Sequence, residues 1–225
     1  MGRIISCNRS VGRVIPTVLA LVCAFAVAPS SAGALNLEDV QIKQIPEAAL
    51  NKIMSEASDR PEDMTAYALL MTANGSIAIA DTYFRLALGN WNPNLAKSYN
   101  YGGVTFKWQK SGNRWTWTWS SSQGESPQSF TTEVVETGGG YDLSIQINGK
   151  EFLTGNVKQK GAAGTVTIYS NPEEQSGERF TTTWVPDSAP YATKFTVVGA
   201  GESAPGTVVL HCDEPGATVK WSYTK

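Results

Sequence analysis

Residues 114–120 read Arg114-Trp115-Thr116-Trp117-Thr118-Trp119-Ser120. Successive side chains of a β-strand point to opposite faces, so Trp115, Trp117 and Trp119 share one face while Thr116 and Thr118 share the other. The same period of two runs outward from this ladder. Val104, Phe106 and Trp108 align on one face. So do Tyr141, Leu143, Ile145 and Ile147; then Phe180, Thr182 and Trp184; then Val208, Leu210 and Cys212; then Val219, Trp221 and Tyr223. The opposite faces carry Lys107, Gln109, Asp142, Ser144, Thr181, Thr183, Lys220 and Ser222. One face is aromatic and apolar. The other is polar and rich in Thr, whose branched Cβ suits a strand while its hydroxyl stays hydrated.

The spacing predicts ten strands, at residues 104–109, 114–121, 128–136, 141–148, 151–158, 165–170, 178–185, 192–198, 206–212 and 218–224. Short breaks rich in Gly, Asn, Ser and Pro separate them. Parallel strands need long crossovers, so breaks this short imply antiparallel hairpins. Before the strands the pattern is helical. Residues 47–57 place Ala49, Leu50, Ile53, Met54 and Ala57 on one side, and Pro46 suits the first turn. A second helix is expected over 61–73, ended by Asn74-Gly75, and a third over 76–88, ended by Gly89-Asn90. Trp91 then reads as a packed residue after a capping glycine. The expected fold is α+β, mainly β. A helical segment at 35–98 packs on a curved antiparallel meander of about ten strands at 99–225, half-barrel or barrel-like, as one folding unit.

Residues 1–34 have the layout of a secretory leader. Arg3, Arg9 and Arg13 precede an apolar core over 14–28, and Ala32-Gly33-Ala34 supplies small residues for cleavage before Leu35. The core is shorter than the ~20 residues of a comfortable membrane span. Cleavage leaves 191 residues, enough for one domain with a real core. It also removes three of eighteen basic residues, leaving fifteen against twenty acids, a net charge of −5. An acidic chain without a Lys/Arg run is a poor nucleic-acid partner, because that affinity comes from neutralising phosphates. Cys7 and Cys23 fall in the leader, so the mature chain keeps Cys212 alone and forms no internal disulfide. The expected location is a bacterial periplasm, cell surface or extracellular space. A lipid anchor on Cys23 is the minor alternative, since Ala20-Leu21-Val22 lacks the small residue that normally precedes a lipidated cysteine.

The residues that could carry chemistry are few. His211 and Cys212 are neighbours on a strand and point apart, and His211 is the only histidine, so neither a metal site nor a nucleophile–base pair is expected. Cys212 is expected to be buried and His211 outward and hydrated. Glu133, Glu136 and Asp142 flank one turn, and Glu173, Glu174 and Glu178 another. Paired carboxylates serve glycosidases, but acids beside turns are ordinarily solvated. No enzyme, cofactor or metal is therefore expected. The candidate ligand-binding residues are Trp108, Trp115, Trp117, Trp119, Trp184 and Trp221, lining a space between the helices and the aromatic face that suits an acyl chain or lipid. Two alternatives come from other classes. One is a structural surface protein with a fully packed core. The other is a carbohydrate-binding module with exposed Trp.

Overall fold

The computed structural model describes residues 42–60, 63–89, 97–101, 103–122, 128–170, 178–201 and 205–225. Residues 1–34, expected to form a leader, lie outside the described residues, as do Trp91, Glu173 and Glu174; Cys23 falls within the first of these. Helix α1 spans Glu47–Ala57 and helix α2 spans Met64–Gly89. Eleven strands follow: β1 Lys97–Tyr101, β2 Val104–Ser111, β3 Arg114–Ser121, β4 Gln128–Thr137, β5 Gly140–Ile147, β6 Lys150–Lys158, β7 Gly164–Tyr169, β8 Arg179–Pro186, β9 Thr193–Ala200, β10 Gly206–Cys212 and β11 Val219–Thr224.

Every strand pairs antiparallel with the next in sequence, giving one sheet in the order β1 to β11. The sheet is open, with β1 and β11 as its edges, so the barrel-like alternative does not hold. All ten expected strands are present as β2–β11. The eleventh, β1, begins at Lys97, inside the segment expected to be helical. It is short and polar, as an edge strand tolerates. Between β5 and β6 the register shifts at Ile145/Gln146, so Leu153 stays opposite Ile145 while Glu151 faces Gln146. A bulge of this kind keeps the apolar residue inward and the acid outward.

Helix α2 corrects the expected break at Asn74-Gly75. It is one helix of 26 residues. Ala66, Leu69, Leu70, Ala73, Ile77, Ala80, Phe84 and Ala87 are all fully buried. Their spacing keeps phase through 74–75, so a break there would turn half of the stripe away from the sheet. Burying each Leu or Ile contributes roughly 1.5–3 kcal/mol, against ~1 kcal/mol for one glycine in a helix interior. Gly75 falls on the exposed side. Ser76 satisfies its buried hydroxyl by donating to the Thr72 carbonyl at 2.7 Å, and Asn74 Oδ1 accepts the Ile45 N–H at 3.2 Å.

The inner face of the sheet meets α2, which packs against β3, β4 and β7–β10. The core between them includes Trp184, Phe195, Val197, Leu143, Ile145, Val208 and Leu210. Gly164 is where this packing admits no side chain, since a Cβ there would lie 2.3 Å from the Trp184 ring. Helix α1 packs on α2, and its Ala49, Leu50, Ile53 and Ala57 are buried. Met54 is half exposed, so it leaves the apolar side assigned to it. Its position borders that stripe, and the long thioether side chain reaches solvent. No helix among the described residues is long and apolar enough to cross a membrane.

Candidate ligand-binding site

The six tryptophans do not line one space. Trp108, Trp117 and Trp119 gather on β2 and β3 with Phe106, Phe130 of β4 and Tyr83 of α2. Cross-strand register creates the cluster: Trp108 stands opposite Trp117, Phe106 opposite Trp119, and Trp119 opposite Phe130. Trp117 lies 6.2 Å from Trp108 and 6.2 Å from Phe130, edge-on to the latter. Tyr83 reaches down from α2 to sit 5.8 Å from Trp117 and 4.6 Å from Phe130. The next residue of α2, Phe84, makes an edge contact with Tyr141 of β5 at 5.7 Å, toward the other end of the β4–β5 pair. Trp108 and Trp117 are buried, while Trp119 at the margin is half-buried. Burial pushes the Tyr83 phenol up to about 12, so it stays protonated.

The other three lie elsewhere. Trp115 shares the inner face but is buried at the far end of β3, with Lys110 Nζ 4.7 Å over its ring. Trp184 is fully buried on β8 and donates its Nε1–H to the Gly161 carbonyl at 3.0 Å. Trp221 sits on edge strand β11, half-buried, and donates to Glu56 Oε2 of α1 at 2.8 Å. Trp184 and Trp221 therefore hold separate parts of the fold together through their N–H groups.

Two atoms in the aromatic cluster are unusual. Trp117 Nε1 and Thr132 Oγ1 are buried and have no hydrogen-bond partner among the described residues. The two residues are direct cross-strand partners on the inner face. Side chains so placed have Cβ atoms about 4.5–5.5 Å apart. Buried polar groups are normally paired, and leaving one unpaired costs ~1–3 kcal/mol. Sequence reasoning missed Thr132 because a threonine among apolar neighbours looks like any strand residue. Only its register against Trp117 marks it.

The remaining chemical candidates are occupied. Cys212 is fully buried beside Leu210, and burial raises its thiol to about 11, which keeps it a poor nucleophile. His211 lies on the outer face, but it is not simply hydrated. Its Nδ1 is 2.5 Å from Asp187 Oδ2, and Tyr191 lies 5.5 Å from its ring. The hydrogen bond from His211, then that from the Ser188 N–H, hold the Asp187 carboxyl below its ordinary value. Glu133 pairs with Arg114 at 2.9 Å, and Asp142 accepts from Asn156 at 2.5 Å. Among the described residues, no three His, Cys, Asp or Glu side chains converge as metal ligands would.

The fold and site thus define an open eleven-stranded antiparallel sheet with a long helix on one face and an aromatic cluster at one end of their interface. Comparison with known protein families, curated proteins and solved structures returns no match.

Proposed function

We propose that this chain is an exported, non-catalytic binding protein that holds an apolar chain by its polar end at the aromatic cluster of β2–β4. One observation carries the reading: the Trp117 N–H and the Thr132 hydroxyl, on residues paired directly across β3 and β4, are buried in the aromatic cluster without a partner among the described residues. A carboxylate or carbonyl oxygen accepts from both donors at once, while the rings of Phe106, Trp108 and Trp119 supply apolar contact for an acyl chain. On this reading a chain enters beside Trp119, which is half-buried at the margin of the cluster. Support for export comes from the arginine-bearing, apolar leader at 1–34, which suits a bacterial periplasm, cell surface or medium. A structural role without a small ligand is the second reading, favoured by how closely Tyr83 seats on Phe130.

Titration with decanoate, followed by tryptophan fluorescence, separates them. The binding reading expects a saturable response that Trp117→Phe weakens about tenfold, because the ring remains and the N–H is lost. No response to decanoate would leave the structural reading standing. A response to soluble glycans alone would instead point to Trp119 as an open sugar platform.

A further inference from the structure

A cleft of about 620 Å³ lies apart from the aromatic cluster, between residues 42–47, the α2 residues Asp81 and Arg85, the turn at 160–162 and the ends of β8–β10. Its size falls within the ~300–1,000 Å³ of small-molecule sites. Trp184 and Phe195 form a floor that is itself fully buried. The groups open to a guest lie on the walls, where charged side chains stand among uncharged ones such as Gln44, Ala162 and Pro186.

Those charges are nearly balanced. Lys43, Arg85 and Lys160 face Glu47, Asp81, Asp213 and Glu214. Two internal contacts are already made: Arg85 Nε donates to Asp81 Oδ2 at 2.8 Å, and Lys43 Nζ meets Glu214 Oε1 at 2.5 Å. Asp213 Oδ2 accepts the Thr218 N–H at 3.0 Å in the β10–β11 turn, and its Oδ1, like Asp81 Oδ1, is buried without a hydrogen-bond partner among the described residues. Lys160 and Glu47 add one further charge of each sign. A polyanion or a polycation would meet repulsion from half of this wall.

Two features set the wall apart from an ordinary solvated surface. Asp81 Oδ1 is buried and has no hydrogen-bond partner among the described residues, although its other oxygen is held by Arg85. It requires a donor. Lys160 has φ 58°, a left-handed backbone that glycine or asparagine adopts with less strain. The Trp184 N–H bond to Gly161 anchors that turn and keeps Lys160 on the wall of the cleft. Strain of this kind persists where the surroundings over-determine it, commonly at ligand sites. Arg85 gives Asp81 only its Nε–H in the contact described, and a guanidinium carries four more N–H donors in a fixed fork that matches a carboxylate.

We propose that this cleft binds a small zwitterion, the class of free amino acids and short peptides. The guest's carboxylate faces Arg85 and Lys160, and its ammonium faces the Asp81 and Glu47 carboxylates. The proposal stands independently of ligand binding at the aromatic cluster, because the two sites share no residue.

Calorimetric titration of the full chain with trialanine tests it, alongside N-acetyl-trialanine, which lacks the ammonium, and trialanine amide, which lacks the carboxylate. Trialanine should give a saturable heat, and each blocked form should bind about tenfold more weakly or worse. Arg85→Gln and Lys160→Gly should each lower trialanine affinity by a similar factor. Lys160→Gly should do so while keeping or raising the melting temperature, since glycine relieves the left-handed backbone. That separates loss of a ligand contact from loss of fold. No saturable heat from trialanine, or blocked forms that bind as well as the parent, would overturn the proposal. A Lys160→Gly protein with unchanged affinity would remove Lys160 from it and refute the carboxylate arrangement.

Discussion

Replacing Thr132 by valine should make this protein more stable and a poorer binder. Thr132 is fully buried, and its hydroxyl has no partner among the described residues. Its cross-strand neighbours, Trp117 and Ile145, present it with an aromatic and an aliphatic side chain. Valine has the same shape, so the strand keeps its packing. Removing an unsatisfied buried hydroxyl recovers part of a ~1–3 kcal/mol desolvation penalty. The added methyl gains up to ~0.8 kcal/mol of apolar burial. A net stabilisation of roughly 1–2 kcal/mol follows, which in a chain of this length raises the melting temperature by ~3–6 °C. Urea denaturation followed by tryptophan fluorescence measures it as a higher midpoint at unchanged slope. Decanoate affinity, measured on the same sample, should fall because the oxygen-binding pair loses one donor. Equal or lower stability would mean that the hydroxyl is already satisfied, and the argument from Trp117 and Thr132 would fail. Higher stability with undiminished decanoate binding would make the unpaired hydroxyl a packing defect rather than part of a site.

Two further outcomes are expected. Gly75→Ala should stabilise the fold by ~1 kcal/mol, because the position is mid-helix and a Cβ there meets nothing within 4 Å; a loss of stability on thermal melting would restore a break at Asn74-Gly75. Asp187 has a carboxyl pKa lowered below the ordinary 3.8 by its hydrogen bond from His211, so its contribution is present above that value and lost as pH falls through the lower folded value. Acid titration of Asp187→Asn should accordingly show a shallower loss of stability below pH 3.8 than the parent chain, and parallel curves would deny Asp187 that role.

The strands were legible because alternation is a local signal that survives in a single sequence. Ten of them rest on pairs such as Phe106 with Trp108 and Leu143 with Ile145, whose faces are set by parity alone. β1 escaped because Lys97-Ser98-Tyr99-Asn100-Tyr101 is five mostly polar residues at an edge, where burial asks for little alternation. The helix break was misplaced because Asn74-Gly75 is a turn signal only when the apolar phase changes across it, and here Ala73 and Ile77 keep phase. The shared face of the tryptophan ladder could be read from sequence, but the neighbours of each ring could not. Which strands lie under α2 decides that Trp184 is core and that Trp221 reaches Glu56, 165 residues away. The polar cleft was invisible for the same reason. Asp81, Lys160 and Glu214 come from three distant parts of the chain. His211 and Asp187, 24 residues apart, meet only because β10 runs beside β9 and the loop before β9 turns back over it.

The strictly sequential order of the sheet also says how the chain can reach its native state. Each strand finds its partner a few residues upstream, so every hairpin closes a short loop at small entropic cost. The sheet can grow strand by strand from any one hairpin, with steps on the microsecond scale typical of hairpins. The long-range events belong to the helical segment: α2 precedes all eleven strands and yet touches β10, and Glu56 of α1 accepts from Trp221 of β11. Docking of the helices is the step that joins the distant parts of the chain. A perturbation on the β9–β10 side, at Phe195 or Leu210, should speed unfolding far more than it slows the early growth of the sheet.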